Sequence, residues 1–319
     1  MAQHFLLSAK ARTISLKAVY QMGEAKAYDL FRSLRWPETE GEAVCPRCGC
    51  TDAYDIPTRR KFQCRACGHQ FSVTSGTIFA GRKLAFTDLL AAIVLFVNGA
   101  KGVSALQISR DLDCQYKTAY VLCHKLREAM ALEDKGQTLE GEVEVDGAYF
   151  GGHMRPANNR ENRRDRRLAI NQTGKRQVVV VGRERGGDTM TVVAKSEAIG
   201  GEIVTSNIHH MATVHADEAS HWDALHAKFD TRRINHSLSY SDGYACTNQA
   251  ESFFSRLRRM EVGTHHHIAG RYLASYAAEA SWREDNRRVS NGDQAALVAR
   301  ATMASQVSRQ WKGYWQRAA

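Results

Sequence analysis

The sequence predicts a multidomain α/β chain, with a zinc ribbon and a helix-turn-helix placed ahead of an α/β domain. Three observations predict it. Two Cys-x-x-Cys knuckles lie near the N-terminus. Apolar residues at helical spacing fill residues 86–130. From Glu142 the apolar period shortens to two, and strands then alternate with helices, the pattern of helices laid on a mixed sheet. A length of 319 residues admits two or three domains. With 43% apolar and 24% charged residues the chain can bury a core, and wholesale disorder is excluded. The most apolar stretch, residues 89–97, is nine residues long, well short of the roughly 20 that a bilayer needs. The first 16 residues lack an apolar segment followed by a small-residue cleavage site, so a cytoplasmic protein without a membrane partner is expected.

Residues 1–40 read as an N-terminal helical segment. Ala27, Leu30, Phe31 and Leu34 form a stripe that ends before Trp36-Pro37. Residues 41–75 read as a zinc ribbon. Cys45, Cys48, Cys64 and Cys67 form two knuckles, and Gly49 and Gly68 let backbone amides turn toward sulfur. Four thiolates suit one structural Zn2+ in tetrahedral geometry. A disulfide pairing is the weaker alternative, because nothing suggests export. Cys50 is a competing ligand at a poorer spacing. The segment is too short to hold a core without metal, and its Arg59-Arg60-Lys61 hairpin can touch phosphate.

Residues 76–138 read as a helix-turn-helix domain: an apolar helix over 86–97, a short helix over 104–112, a turn at 113–115 and a third helix over 116–130. Ala119, Leu122, Cys123, Leu126 and Met130 make the apolar face of the third helix, with Lys117, Tyr120, Lys125 and Arg127 outside it. A second helix with a polar leading end can enter a major groove, which makes Lys117 and Lys125 candidate DNA contacts. A plain three-helix bundle is the alternative.

Residues 139–289 form the α/β domain, with strands over 142–146, 177–182, 189–194 and 212–217, then helical patterns over 218–229, 248–260 and 268–287. Residues 290–319 read as a C-terminal tail. Between the first two strands, residues 153–176 carry eight Lys or Arg against two Asp or Glu. The expectation is a basic loop that orders on a phosphate backbone, through Arg155, Arg160, Arg163, Arg164, Arg166, Arg167, Lys175 and Arg176. The chain as a whole carries 44 Lys and Arg against 34 Asp and Glu, a net charge of +10, so a polyanion partner is plausible.

Asp146 and Asp217 each close a predicted strand. Glu251 lies on a helix whose stripe is Ala250, Phe253, Phe254 and Leu257, so it shares the opposite face with Ser255 and Arg258. Two carboxylates from strands and one from a helix can converge at a sheet edge. Hard oxygen ligands of that kind hold the paired Mg2+ ions of phosphoryl-transfer enzymes. A bare triple of acids carries little weight among 34 acidic residues. Glu144 shares the face of Asp146 and can support or replace it, and Glu218 is the nearest competitor of Asp217.

The chain resembles the insertion-sequence transposases that carry an N-terminal zinc ribbon ahead of a DDE domain, the ISXO-like family. The resemblance runs through Leu34-Arg35-Trp36-Pro37, the two knuckles, Gly76-Thr77-Ile78-Phe79, Tyr116-Lys117-Thr118-Ala119, Glu144-Val145-Asp146 with Tyr149 and Gly151-Gly152, and the segment from Asn248 to Arg258. It implies an RNase H-like catalytic domain. Asp146, Asp217 and Glu251 would be ligands of two Mg2+ or Mn2+ ions, Asp146 bridging both. Water would cut DNA at the element's ends, and the exposed 3′-hydroxyl would attack target DNA. The implied partner is double-stranded DNA, both terminal inverted repeats and target, bound by a homodimer or larger assembly at the bacterial or archaeal nucleoid. Arg258 matches the family's basic residue after the acid, with Arg where Lys is usual. Gly147-Ala148 stands where relatives often carry a further acid. Two rival functions remain at this point: a DNA-binding regulator that has lost catalysis, and a nuclease that never performs strand transfer.

Overall fold

The computed structural model describes residues 5–133, 138–151, 159–162, 175–234 and 246–316. The chain divides into two compact units, Met1–Glu133 with Asn286–Ala319, and Asp134–Asp285.

In the first unit α1 (Leu16–Arg35) starts at Ser15, whose hydroxyl accepts from the Ala18 amide, and bends at Gly23, which is held at φ 76°. Three short antiparallel strands follow: β1 (Ala53–Ile56), β2 (Lys61–Cys64) and β3 (Gln70–Phe71), in that order across the sheet. Their apolar content is little more than Trp36, Phe62 and Phe71, whose ring centroids lie 5.5–6.3 Å apart. Next come α2 (Phe86–Asn98), α3 (Ala105–Asp111) and α4 (Tyr116–Glu133). α2 is apolar nearly all round and accordingly buried. Ser104 caps α3, and Asp113 takes a left-handed conformation in the turn before α4.

Arg127 departs from its expected place. The periodicity leaves it off the apolar face, yet it is buried, with its guanidinium 5.3 Å from the Phe96 ring centroid. Residues 291–304 of the expected tail form a helix, α8 (Asn291–Ala304), capped by Ser290 and packed on α1, α2 and α4.

The second unit is a five-stranded mixed sheet. Its strands are β4 (Glu142–Phe150), β5 (Gln177–Glu184), β6 (Thr189–Ala194), β7 (Thr213–Asp217) and β8 (Asp230–Ile234). They lie in the order β6-β5-β4-β7-β8. β6, β5 and β4 are antiparallel, while β7 and β8 run parallel to β4. β4 runs four residues beyond Asp146, because Gly147 to Phe150 pair with Val180 to Gln177. Asp146 is therefore inside a strand, where the sequence suggested its end.

One sheet face carries Val143, Val145, Val178 and Val180, which join Val204 of α5 (Glu197–Thr205) and Trp222 in the core. Gly200 and Gly201 allow this close approach: a β-carbon there would come within 2.5 Å of Val180 and 2.7 Å of Trp222. The opposite face is covered by α6 (Asn248–Met260) and α7 (Leu273–Asp285). The helix expected over 218–229 is instead a 3-10 stretch, Ser220–Ala227. Its buried residues, Trp222 and Leu225, are three apart and suit that tighter turn. No helix among the described residues is long and apolar enough to cross a membrane.

Candidate active site and metal centre

The ribbon knuckles bring four sulfurs together. Cys45 and Cys67 are 3.7 Å apart and Cys48 and Cys64 3.5 Å, and all four ligand atoms lie within 4.8 Å of one another. Bonds of about 2.3 Å from a tetrahedral zinc place sulfurs at that separation. The Cys67 amide donates to the Cys64 sulfur and lowers its pKa, while hydrogen bonds from the neighbouring sulfurs push Cys48 the other way, so without metal the crowded thiols share protons that a bound cation would displace. Cys50 stays outside the set: its sulfur meets the Asp52 amide at 3.4 Å. The donor set fits a structural Zn2+.

In the second unit the parallel β4–β7 ladder ends at Glu144 opposite His215. Asp146 and Asp217 each stand two residues beyond that last pair, so both project from the sheet face that bears Glu144 and His215. Glu251 enters from the first turn of α6. These carboxylates feel one another. Burial pushes Asp146 up to about 7, and Asp217, Glu251 and Glu197 add to the rise. Glu218, by contrast, is exposed. Among the described residues only the four cysteines meet within 4.8 Å, so the carboxylates are spread more widely. Three carboxylates shared between two ions need more room than four thiolates on one. Asp146 and Asp217 are half-buried and Glu251 is exposed; mutually repelling acids of this kind are a fitting donor set for divalent cations.

Glu197 was not among the expected residues. It opens α5, whose N-cap is Ser196, and its side chain lies against Gly147, where a β-carbon would come within 2.6 Å of Glu197 Cγ. Gly147 alternates with Val143 and Val145 and so faces α5, on the sheet side opposite to Asp146, where it leaves room for the Glu197 side chain. His221 Nε2 sits 3.1 Å from the Glu197 carboxylate. Burial, with Asp217 adding, raises the Glu197 pKa, while His221 opposes the rise. Ser196-Glu197 is a readable helix start, but Gly200-Gly201 erase the helical pattern behind it.

Glu144 holds the site's frame. It is buried on β4, and its Oε2 accepts from the amides of Gln249 and Ala250 at 2.7 and 3.1 Å. Thr247 gives α6 no side-chain cap, so Glu144 does so from another strand. Arg185 Nε donates to Glu144 Oε1 at 2.8 Å. The strand bearing Asp146 and the helix bearing Glu251 are thereby tied together. His215 is buried with neither ring nitrogen hydrogen-bonded, and burial lowers its pKa, as expected of a packed neutral histidine.

Arg258 is exposed on α6, with its guanidinium 5.7 Å from the Phe150 ring centroid. Of the basic-loop residues, Arg160 is exposed and Arg176 lies over the Tyr149 ring at 4.1 Å, where its charge acts on Glu197. Lys175 precedes β5. Arg155, Arg163, Arg164, Arg166 and Arg167 lie outside the described residues. Lys117 is exposed on α4 and Lys125 half-buried. His265, first of the three adjacent histidines, packs its ring edge-on against Tyr276 at 4.7 Å.

Comparison with known proteins agrees with this architecture. A search of curated proteins found no match. Residues 138–285 match the ISXO2-like transposase domain and residues 22–70 the transposase zinc-ribbon domain. The chain therefore carries a transposase zinc-ribbon domain followed by an ISXO2-like transposase domain, the domain pair of an insertion-sequence transposase.

Proposed function

We propose that the chain cuts DNA at the ends of its element and joins each freed 3′-hydroxyl to target DNA, with Asp146, Asp217 and Glu251 holding two Mg2+ or Mn2+ ions. The observation that supports this reading is that Asp217 and Glu251, from β7 and α6, both raise the pKa of Asp146 on β4 electrostatically, and that all three lie within the residues matched by the transposase domain. The sheet order, an antiparallel three-strand meander extended by two parallel strands, supports an RNase H-like fold for residues 139–289. When bound, the ions activate the attacking oxygen and stabilise the leaving one.

In the first step a water oxygen bonds to the phosphorus and the 3′-oxygen leaves as a hydroxyl. In the second, that hydroxyl attacks a target phosphate and the target's own 3′-oxygen departs with the proton. Asp146, Asp217 and Glu251 fix where these oxygens meet, and Glu144 keeps β4 and α6 in register. Arg258, Arg160, Lys175, Arg176 and the basic residues of loop 153–176 grip the phosphate backbone, each cation contributing through counterion release. The ribbon (41–75) and the α3–turn–α4 unit (76–138), with Lys117 exposed on α4, recognise the terminal repeats. Two ends must be cut in concert, so the active form is a dimer or larger on DNA.

Strand transfer by wild type against Asp146→Ala, Asp217→Ala and Glu251→Ala tests the reading. Each variant should lose joining while binding end DNA normally. Full joining by Asp217→Ala would remove that residue from the ligand set. Cleavage by the wild type without any joined product would make the protein a nuclease, and neither product would make it a DNA-binding regulator.

A further inference from the structure

The first unit contains a cavity of about 660 Å³ that the carboxylate chemistry does not use. It lies beside the leading half of α4, within the usual size range of small-ligand sites. Its wall carries five cations, Arg82, Lys83, Lys117, Lys125 and Lys312, and no Asp or Glu lines it. Besides Phe79, its aromatic lining residues, Trp311, Tyr314 and Trp315, come from the C-terminal segment. Trp311 is buried and stacked on His124, with centroids 4.1 Å apart and planes 18° apart, which anchors the segment to α4. Trp315 is 48% exposed, and Lys117 Nζ lies 5.2 Å from its ring centroid. A half-exposed indole beside several cations, in a lining that holds no Asp or Glu, is suited to a ligand that is both planar and anionic. Burial drives the Lys125 pKa down, with Glu128 opposing the shift, and an anion in the cavity would relieve more of that cost.

We propose that this cavity binds a nucleotide whose base is unpaired, carried in a single or locally opened DNA strand, with the base against Trp315 and the phosphates on Lys117, Lys125 and Lys312. A duplex hides its base faces inside the stack and offers only edges and phosphates. Base-on-aromatic stacking therefore selects unpaired nucleotides, while the cations alone would not discriminate. The choice of DNA as the polymer rests on the transposase reading. The site itself does not need catalysis, and its test involves none.

Fluorescence anisotropy with the full zinc-loaded chain, without Mg2+, tests the assignment on labelled oligothymidylate, an abasic strand of equal length and a duplex of equal length. Trp315→Ala should weaken oligothymidylate binding about tenfold, the loss of one base stack, and leave the abasic strand and the duplex unchanged. Trp315→Phe should restore most of the loss. Lys117→Gln with Lys312→Gln should weaken both single strands and flatten their salt dependence. Unchanged oligothymidylate binding by Trp315→Ala, or an equal loss on duplex, would overturn the proposal. Displacement by dTMP at equal nucleotide concentration would assign the cavity to a free nucleotide and overturn the strand as its ligand.

Discussion

Cys45, Cys48, Cys64 and Cys67 come from one short stretch of chain, whereas Asp146, Glu197, Asp217 and Glu251 come from four separate elements of the second unit. The sulfurs are positioned by two local turns whose amides point at them. The carboxylates are positioned by a strand ladder, two helix starts and a buried glutamate. A local cluster with almost no core around it depends on its ion for folding. A distributed cluster on a packed sheet depends on the sheet, and its ions add chemistry to a frame that already exists. The comparison breaks if either site behaves like the other. Cys48→Ser should abolish stoichiometric zinc, unfold the ribbon and weaken end recognition, the largest effect expected, since structural zinc contributes on the order of 10 kcal/mol. The thermal transition of Asp134–Asp285 should not move. Asp217→Ala should do the reverse, keeping zinc and fold while losing joining. Zinc content by atomic absorption and thermal unfolding of both variants check this. Retained zinc in Cys48→Ser would end the ligand assignment, and a collapsed second unit in Asp217→Ala would show that the acids build the frame.

The same contrast explains what was legible in the sequence. The ribbon could be read directly, because Cys-x-x-Cys-Gly carries ligand, spacing and turn in five residues. The β-branched run Val178 to Val181 declared its strand. The acids at 146, 217 and 251 could be named from position and resemblance, but their meeting depends on β7 lying beside β4, a pairing no local pattern records. β8, with the sequence Asp-Thr-Arg-Arg-Ile, is too polar to read as a strand and is an edge of the sheet. Glu197 was hidden by the two glycines that follow it, which are there because helix and sheet approach too closely for side chains. Gly147 looked like a lost acid when read alone. In the fold it faces α5 and leaves room for Glu197 on the sheet side opposite to Asp146.

How far the frame stands on buried polar contacts can be read from pH. Arg183 on β5 pairs with Asp285 at 2.9 Å, and Thr189 donates to the same carboxylate through both hydroxyl and amide, tying α7 to the sheet. Burial pushes Asp285 up to about 6 despite these partners. The sign follows from linkage. Between its unfolded pKa near 4 and its folded value, the folded chain binds the proton more tightly. Asp285 therefore adds stability at low pH, and that contribution is lost as pH rises from about 4 through 6, by roughly 3 kcal/mol at most. In Asp285→Asn this part of the slope should vanish, as measured by denaturant unfolding from pH 4 to 7 against wild type. An identical slope in the variant would mean that Asp285 titrates normally and that the α7 anchor is not desolvated.

The smallest expected effect bears most directly on how the two acids of β4 and α6 are kept together. Every group facing the Glu144 carboxylate is a donor: the Gln249 and Ala250 amides, Arg185 and the Cys246 thiol. Glutamine keeps the shape but turns one acceptor oxygen into an NH2 donor. Glu144→Gln must then leave either an α6 amide or Arg185 facing a donor, and the helix that carries Glu251 loses its cap. Outer partners that orient metal ligands typically contribute 10–100-fold to activity, so the joining rate should fall by about that factor. Affinity for end DNA should hold, because nothing on the DNA side changes. A residue that merely stabilised the fold would lower the thermal midpoint without selectively lowering the rate. A residue that positions Glu251 lowers the rate of the folded enzyme at unchanged DNA affinity. Glu144→Asp keeps two acceptor oxygens on a shorter stem, and should recover part of the rate if orientation is what Glu144 provides. Joining within twofold of wild type in Glu144→Gln would show that α6 holds its place without help from β4, and the distributed site would then be less dependent on long-range contacts than its geometry indicates.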